Sequence, residues 1–387
     1  MGARQHLAII GDGAGAAAFL SVARLVPGDR LTLIGPNVHR FGAGRFYADH
    51  DARHPWRLAY LLDRPNGEMT EGFADWLAAE WPVLLPEIAV AQPLHVRRWS
   101  EALSEGAFGD FAAPRAIYGR YLARRSSERL AKLVEDGVQV QLITGLATDL
   151  SRADDQFRIT LASGEVIKAD RVDVATGGPA NQRFGVDAGP TAFTTLYDNE
   201  EAIARVLKPG WEVTCLGAST EVLDVMHFLR AAWPTQELRL RVLRDRATPA
   251  LDGDPEYRRL RAAGRIVEEV GRPIWVYAES AGNVRLRITG KECQSQEKTV
   301  PLAINTAGPG DQLLVDILIS GMIAKGWLKL NSAQNRIDVG ARFATDMDGV
   351  RYASDAVAIL NRRPEGVVRQ RVEELVGSFE GDPIETA

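Results

Sequence analysis

The chain has 387 residues, a length that predicts more than one domain. Hydrophobic residues make up 45% of it and charged residues 25%, a balance that argues against a disordered or fibrous protein. The net charge of −5 also argues against a nucleic-acid partner, because proteins that bind many phosphates carry an excess of Lys and Arg.

The cysteines, the histidines and the apolar runs restrict the kinds of binding site and the location that the sequence predicts. Cys215 and Cys293 are the only cysteines, too few for a disulfide framework, and the six histidines show no ligand spacing, so we predict no metal site. No apolar run approaches the length that spans a membrane, and no signal peptide is recognisable. We therefore expect a cytoplasmic protein with a small-molecule substrate and with neither a nucleic-acid nor a membrane partner. The oligomeric state is not predicted.

The N-terminal residues predict a dinucleotide-binding βαβ unit. The apolar run at 6–10 is typical of a buried parallel strand, a glycine-rich turn follows at 11–16, and residues 17–25 carry helical periodicity. A second strand is predicted at 31–34. The order of strand, glycine turn, helix and strand indicates an α/β protein of Rossmann type with its dinucleotide fingerprint at the turn.

The turn Gly11-x-Gly13-x-x-Ala16 carries a physical mechanism for binding a diphosphate. Its first glycine permits the tight turn, and its second lets the diphosphate approach the backbone at the start of the helix. The third position holds the small Ala16, which permits close packing of helix on strand.

The acid that usually binds the ribose is missing from this unit. It is expected at the end of the second strand, where the chain reads Gly35-Pro36-Asn37. We interpret three nearby polar residues as candidates for part of that contact, namely Asn37, Arg40 and Arg45.

A second βαβ unit is predicted far downstream. Residues 212–216 are typical of a strand, 217–220 of a turn, 221–232 of a helix and 238–243 of the next strand. In the turn, Ser219 stands where the second glycine of the fingerprint is expected, and its hydroxyl can donate a hydrogen bond to a phosphate.

The strand that follows this second turn ends in Arg244-Asp245-Arg246. Arginine in place of the ribose-binding acid favours the 2′-phosphate of NADP. Surface charges at a strand end are an equally good interpretation of these arginines.

Further elements surround the second unit. Residues 114–135 are predicted to form a helix, 157–168 a hairpin and 171–178 a strand that ends in glycines. A second hairpin is predicted over 284–302.

A series of short motifs lies along the chain. After the Gly11 turn come Gly42-x-Gly44-x-x-Tyr47, Asp51 to His54, Phe73 to Leu77, Pro114 to Leu122 with the pattern P-R-x-x-Y-G-x-Y-L, Ala175-Thr176-Gly177, Gly217 to Asp224, Asn305 to Gly310 and Tyr352 to Asp355. This series, which covers most of residues 6–355, resembles the FAD/NAD(P)-binding family of bacterial flavoproteins, relatives of flavin-dependent monooxygenases and N-hydroxylases.

The resemblance implies a discontinuous Rossmann-like FAD-binding domain, residues 1–190 and 303–387, with an inserted NADPH-binding domain, residues 191–302. NADPH would reduce the FAD, and the enzyme would then hydroxylate a small metabolite at an amine or an electron-rich ring. The chain departs from the family pattern at several positions: Ala16, Gly35, Arg57 to Ala59, Ser219, Thr306 to Ala307 and Ser354.

Candidate site residues follow from the turns and from the resemblance. The candidates for binding FAD are Gly11, Asp12, Gly13, Ala14, Gly15, Ala16, Pro36, Asn37, Arg45, Ala147, Ala175, Thr176, Gly177, Gly308, Ser354 and Asp355. The candidates for binding NADPH are Ser219, Thr220, Arg244 and Arg246. No catalytic residue is identified, but His54 and Arg57 are candidates for lining the substrate side of the flavin, because the resemblance places their loop there.

Two other functions stay open because of the departures from the family pattern. The fold could serve a non-redox or partner-binding role after erosion of its fingerprints, which predicts weak or absent flavin. Alternatively, the protein could be an FAD-dependent reductase that passes electrons to a partner, which predicts NADPH oxidation without a hydroxylated product.

Overall fold

The structure is a computed structural model that describes residues 4–49, 53–177, 190–244, 251, 253–278, 282–289, 295–307, 316–331, 337–340, 343–354 and 357–359. Contacts between Cα atoms divide the chain into two compact units. The first comprises Met1–Asp51, Leu61–Pro179 and Leu313–Ala387, and the second comprises Ala52–Tyr60 and Ala180–Gln312. The short segment 52–60 therefore belongs to the second unit, whereas the sequence analysis places it in the FAD-binding domain.

The described residues form both strands and helices. In chain order the strands are β1 (His6–Ile10), β2 (Arg30–Gly35), β3 (Gln139–Thr144), β4 (Ala147–Ala153), β5 (Gln156–Leu161), β6 (Val166–Ala169), β7 (Arg171–Val174), β8 (Ala192–Phe193), β9 (Val213–Leu216), β10 (Leu240–Arg244), β11 (Ile266–Val270), β12 (Arg272–Ala278), β13 (Val284–Thr289), β14 (Ser295–Val300), β15 (Leu302–Asn305), β16 (Lys329–Leu330), β17 (Ile337–Val339), β18 (Val350–Tyr352) and β19 (Val357–Ile359). The α-helices are α1 (Ala14–Ser21), α2 (Phe73–Ala91), α3 (Pro93–Ser104), α4 (Arg115–Glu135), α5 (Glu200–Val206), α6 (Glu221–Ala232), α7 (Pro255–Ala262) and α8 (Ile317–Ala324). Two short 3-10 helices span Val38–Arg40 and Asn66–Glu68.

The centre of the first unit is a parallel sheet with strand order β18-β7-β1-β2-β3. β1 lies in the middle of it, where Ile10 pairs with Ile34 of β2 and with Val174 of β7. The apolar sequence of β1 suits this position, because a strand that is covered on both faces needs apolar side chains on both sides. α1 follows β1 directly and packs Phe19 and Leu20 into the same core.

Two small sheets and a helical region complete the first unit. β4, β5 and β6 form an antiparallel sheet, while β16, β17 and β19 form a mixed one. The helices α2 and α4 share an aromatic cluster, in which the ring of Phe73 packs against Trp76, Tyr118 and Tyr121. These contacts hold the N-terminal half of α4 against α2.

The second unit is built on another parallel sheet, with strand order β11-β10-β9-β15-β8. β9 is central, and its Cys215 pairs with Ile304 of β15 and Val242 of β10. α6 packs its apolar face into the core of this unit, where Phe228 contacts the ring of Trp56 at a centroid distance of 5.2 Å. A separate antiparallel sheet of β12, β13 and β14 follows.

The structure confirms the predicted α/β class, and each unit contains a βαβ arrangement around a parallel sheet. The helix at 221–232 has the predicted bounds, whereas the first helix begins at Ala14 rather than at residue 17. The predicted hairpin over 284–302 consists of β13 and β14, and residues 302–305 instead join the parallel sheet as β15. No helix among the described residues is long and apolar enough to cross a membrane.

Candidate nucleotide-binding sites

The first glycine turn is shaped by a close approach between two strand ends. Gly11 follows β1 with a φ of +114°, and a Cβ atom at this position would lie 2.1 Å from the carbonyl oxygen of Ala175, which follows β7. The amide of Gly11 donates to the carbonyl of Ile34 at 2.8 Å. Only glycine satisfies both the positive φ and the contact, so this position keeps the turn tight.

The second glycine of the turn opens the start of α1 to the backbone of another turn. Gly13 immediately precedes α1, and a Cβ atom on Gly44 would lie 2.7 Å from the Cα atom of Gly13. Gly44 itself has a φ of +53°. Within the described residues, no side chain caps the N-terminal amides of α1. Such amides, together with the positive end of the helix dipole, favour an anion, so this cradle fits the diphosphate of a dinucleotide.

Residues 41–47 form a turn that supports this cradle from the outside. The amides of Gly42 and Gly44 donate to the carbonyl oxygen of Asp12 at 2.8 and 3.1 Å. On the other side of the turn, a Cβ atom on Gly119 of α4 would lie 2.0 Å from the carbonyl oxygen of Tyr47. The glycine of the P-R-x-x-Y-G-x-Y-L pattern therefore lets α4 pack directly on the supporting turn.

A carboxylate lies at the end of β2 although the strand itself ends in glycine. It belongs to Asp12, whose Oδ2 accepts a hydrogen bond from the amide of Asn37 at 2.5 Å. A Cβ atom on Gly35 would lie 2.8 Å from that same oxygen. Burial raises the pKa of Asp12, and the hydrogen bond from Asn37 opposes this effect.

Other FAD candidates lie at the carboxyl ends of neighbouring parallel strands. Ala175, Thr176 and Gly177 follow β7, and the amide of Ala175 donates to the carbonyl of Ile10 at 2.7 Å. Ser354 follows β18 and is buried. Ligands of open α/β sheets bind at this edge, so the structure brings these residues to the same side of the sheet as the glycine turn.

The remaining FAD candidates are less closely grouped. Ala147 begins β4 of the antiparallel sheet, and its partner there is Leu161 of β5. Arg45 lies in the supporting turn 41–47 and is exposed, while Pro36 is the exposed residue after β2. Gly308 and Asp355 lie outside the described residues.

The turn of the second unit combines a tight glycine with a capping side chain. Gly217 has a φ of +107°, and a Cβ atom there would lie 2.2 Å from the Cα atom of Ala307. The hydroxyl of Ser219 accepts a hydrogen bond from the amide of Glu221 at 3.2 Å. Thr220 is the residue that precedes α6. Ser219 thus satisfies one of the helix amides that a phosphate would otherwise bind.

Carboxylates occupy the first turn of α6. Glu221 accepts hydrogen bonds from the hydroxyl of Thr195 and the amide of Leu196, both at 2.9 Å. Asp224 accepts a hydrogen bond from the hydroxyl of Tyr197. Both carboxylates are buried, and their place near the positive end of the helix is favourable. They fix the segment 195–197 against α6.

Arg244 lies at the end of β10, as predicted from the sequence, and Arg246 lies outside the described residues. Arg244 pairs with Glu268 of β11, with 3.2 Å between its Nε and the carboxylate. Arg261 of α7 pairs with the same carboxylate, also at 3.2 Å. The two arginines therefore converge on one acid, and the sequence analysis missed Arg261 because α7 and β11 meet only in the fold.

His54 and Arg57 lie in the short segment that joins the second unit. The ring of His54 stacks on Trp56 at a centroid distance of 4.8 Å, and the amide of Arg57 donates to the carbonyl of His54 at 3.1 Å. Among the described residues, Nδ1 of His54 is buried without a hydrogen-bond partner. The structure places these residues in the second unit and the Gly11 turn in the first.

Comparison with known proteins finds a family match over the segment that contains the first of these candidate sites. The family model described as FAD-NAD(P)-binding matches residues 8–179, the segment that contains the Gly11 turn, the supporting turn and α4. The matched segment is similar to this family and makes up less than half of the chain. The predicted resemblance is confirmed, and so is, at the level of the family, the prediction of FAD with a nicotinamide nucleotide as cofactors. A search among curated proteins found no match.

Solved structures of similar fold cover nearly the whole chain. A lysine monooxygenase from Nocardia farcinica is 13% identical with a TM-score of 0.59, covering 96% of this chain and 99% of its own. An ornithine N-hydroxylase from Kutzneria sp. 744 is 12% identical with a TM-score of 0.58, covering 98% and 99%. Thioredoxin reductase from Lactococcus lactis is 11% identical with a TM-score of 0.57, covering 97% of each chain. At these identities the likeness shows the fold alone.

Two arrangements within residues 8–179 were not predicted from the sequence. Asp12 was a candidate of the glycine turn, and in the structure its carboxylate lies at the end of β2. The 41–47 turn and the α4 pattern are separate motifs in the sequence, and in the structure Gly119 lets them pack together. Among the described residues, no group of three or more His, Cys, Asp or Glu side chains could hold a metal ion.

Proposed function

We propose that the protein is an FAD-dependent, NADPH-using oxidoreductase that hydroxylates a small metabolite at an amine or an electron-rich ring. The observation that carries the proposal is the bare backbone cradle at Gly13, where Gly44 approaches its Cα atom and, among the described residues, no side chain caps α1. This cradle lies within the segment that matches the FAD-NAD(P)-binding family.

When bound, FAD supplies the electron transfer and oxygen activation that no side chain can perform. The residues of the chain bind and orient it. The N-terminal amides of α1 bind the diphosphate, and Gly11 keeps this turn against Ala175. The strand ends around Ala175 and Ser354 form one edge of the site.

The second unit is proposed to bind NADPH. The hydroxyl proton of Ser219 is available to a phosphate oxygen, because the Ser219 oxygen acts as the acceptor for the amide of Glu221. Arg244 and Arg261, held by Glu268, offer guanidinium groups for the 2′-phosphate. That pairing favours NADPH over NADH.

The cysteines favour hydroxylation over disulfide reduction. Disulfide exchange needs an accessible thiolate of low pKa, normally with a second cysteine beside it. The chain has two cysteines in all, Cys215 and Cys293. Cys215 is fully buried in the central strand β9, and burial raises the pKa of its thiol. Support for an amine substrate comes from the lysine monooxygenase and the ornithine N-hydroxylase that share the fold.

Product analysis tests the proposal. The purified protein, loaded with FAD, is incubated with NADPH and isotopically labelled oxygen against a panel of amino acids, amines and phenols. We expect one substrate class to gain one labelled oxygen atom, detected by mass spectrometry. NADPH consumption that yields only hydrogen peroxide with every substrate, while artificial acceptors are reduced, would favour the reductase instead.

A pair of variants ties this activity to the cradle. Gly44→Ala places a Cβ atom 2.7 Å from the Cα atom of Gly13, so we expect loss of bound flavin and of product. Gly109→Ala is the matched control, because the nearest atom that its Cβ would meet among the described residues outside its chain neighbours is the Cα of Gly67, at 4.0 Å. If Gly44→Ala retains flavin as well as Gly109→Ala does, the diphosphate does not bind at this cradle.

A further inference from the structure

The end of β2 presents a carboxylate that comes from the preceding turn. In a dinucleotide fold the second strand normally ends in an acid that binds the ribose. Here that position is Gly35, but the Asp12 carboxylate lies where a side chain at position 35 would begin: a Cβ atom on Gly35 would be 2.8 Å from both Cβ and Oδ2 of Asp12. An acid at position 35 and Asp12 in its present position exclude each other.

The two carboxylate oxygens of Asp12 have different surroundings. Oδ2 accepts the amide hydrogen of Asn37 at 2.5 Å, which fixes the carboxylate at the end of the strand. The backbone amide of Asp12 itself also hydrogen-bonds the carboxylate, and no other described residue donates to Oδ1. The residue is 7% exposed, so this acceptor is held in a largely desolvated position. A hydroxyl donor of a ligand would satisfy it.

The backbone of Asp12 is held as firmly as its side chain. Its carbonyl oxygen accepts from Gly42 and Gly44, the turn that also closes the diphosphate cradle. The carboxylate is therefore placed by contacts from three segments, the glycine turn, the end of β2 and the 41–47 turn.

We propose that Asp12 is the ribose-binding carboxylate of this protein, replacing the acid that β2 lacks, and that Gly35 is glycine because Asp12 occupies its side-chain space. This inference rests on the proposed binding of FAD. It assigns Asp12 to recognition of the adenosine ribose hydroxyls, whereas the amides of α1 bind the diphosphate. Asp12 is a residue of binding specificity and has no part in electron transfer.

Binding measurements on apoprotein test the assignment. FAD and an FAD analogue that lacks the adenosine 2′-hydroxyl are titrated into apoprotein, and flavin fluorescence gives the two dissociation constants. For Asp12→Ala we expect FAD to bind about 10–100-fold more weakly, the range that loss of a hydrogen bond to a charged group gives. We also expect this variant to bind FAD and the deoxy analogue about equally, whereas the unaltered protein prefers FAD.

An exchange of positions separates recognition from damage to the fold. Asp12→Gly combined with Gly35→Asp returns the acid to the strand end and removes the atoms that it would meet. We expect this double variant to recover the preference for FAD over the deoxy analogue, relative to Asp12→Gly alone. Asp29→Asn is the control, because Asp29 is a buried acid just before the opposite end of β2 that accepts from the amides of Gln5 and Val26.

The outcomes distinguish the inference from the function on which it rests. If unaltered apoprotein binds FAD with a ribose preference that Asp12→Ala keeps, the assignment of Asp12 is overturned and the proposed function stands. If unaltered apoprotein binds neither flavin, the proposed function fails first. If Asp29→Asn loses the ribose preference as fully as Asp12→Ala does, the effect comes from the fold, and the assignment is again overturned.

Discussion

The glycine turns of the two units differ in how the amides at the start of the following helix are satisfied. In the first unit a Cβ atom on Gly11 would meet the backbone of Ala175 and Thr176, and α1 begins without a capping side chain among the described residues. In the second unit, Ser219 bonds the amide of Glu221, and acids fill the first turn of α6. The N-terminal amides of α1 are therefore left for a bound anion, whereas the hydroxyl of Ser219 already satisfies one N-terminal amide of α6. This difference supports the proposed binding of a resident FAD in the first unit and of an exchanging NADPH in the second.

The largest effect is expected where α4 meets the supporting turn. Gly119→Ala would place a Cβ atom 2.0 Å from the carbonyl oxygen of Tyr47, which α4 cannot accommodate without moving. We expect a loss of about 3 kcal/mol in the free energy of unfolding, the upper part of the range for overpacking, together with loss of flavin. Denaturant unfolding and the flavin content of the purified variant measure both.

A second helical glycine of the same unit serves as the control. A Cβ atom on Gly321 of α8 would lie 3.6 Å from Asp149, an ordinary contact. Gly321→Ala is therefore expected to raise the stability by about 0.5–1 kcal/mol through helix propensity, with flavin unchanged. If Gly119→Ala and Gly321→Ala have the same stability and flavin content, the packing of α4 on the 41–47 turn is not needed for flavin binding.

The arginines of the second unit sharpen the assignment of its nucleotide. We expect Arg244→Ala with Arg246→Ala to raise the KM for NADPH about 10–100-fold, because charge-assisted contacts to the 2′-phosphate are lost. The KM for NADH should change little. Arg239→Ala removes an exposed cation that pairs with Glu237, and it controls for net charge. Equal effects of the double variant on both nucleotides would contradict the assignment.

Substitutions of Ser219 test whether its hydroxyl caps the N-terminus of α6. Ser219→Ala removes the acceptor for the amide of Glu221, so the second unit should lose about 1 kcal/mol of stability, as for other helix caps. Thermal unfolding without nucleotide reports this loss. Ser219→Gly should weaken the helix in the same direction and bind NADPH more weakly than the unaltered protein, because it also lacks the hydroxyl that is proposed to donate to a phosphate oxygen. Unchanged NADPH binding by the glycine variant would contradict that contact.

The smallest effect is expected from the charge of Asp12 in the apoprotein. Burial raises its pKa in the folded state, so the folded protein favours the protonated carboxyl. Stability from this group is present at acidic pH and is lost as pH rises through the folded pKa. Asp12→Asn should therefore melt slightly above the unaltered apoprotein at pH 7, and the two melting temperatures should converge toward pH 4. A lower melting temperature for Asp12→Asn at pH 7 would contradict the conclusion that burial disfavours the charged form of Asp12.

The parts of the fold that depend on local sequence pattern were predictable from the sequence. The apolar run of β1, the glycines of both turns and the period of α6 each encode their element directly, and the structure has them nearly as predicted. The class of the protein follows from their order.

The contacts that build the sites depend on distant segments and were not predictable in this way. In the sequence, Gly35 indicates that β2 lacks the usual ribose-binding acid. Only the structure shows that the side chain of Asp12 crosses the turn and brings its carboxylate to the end of β2. Likewise Gly119 and Tyr47 are separated by most of the helical region, and Arg261 meets Arg244 only through Glu268. Such pairings are set by how helices dock on the sheet, which periodicity does not specify.

The most direct test of the account is the visible spectrum of the protein before and after NADPH is added without oxygen. We expect a bound-flavin spectrum that NADPH bleaches more readily than NADH does, because FAD is proposed to bind in the first unit and NADPH in the second. A protein that shows no flavin and takes up none when FAD is added would contradict the central claim, and the turns would then belong to a fold that serves another purpose.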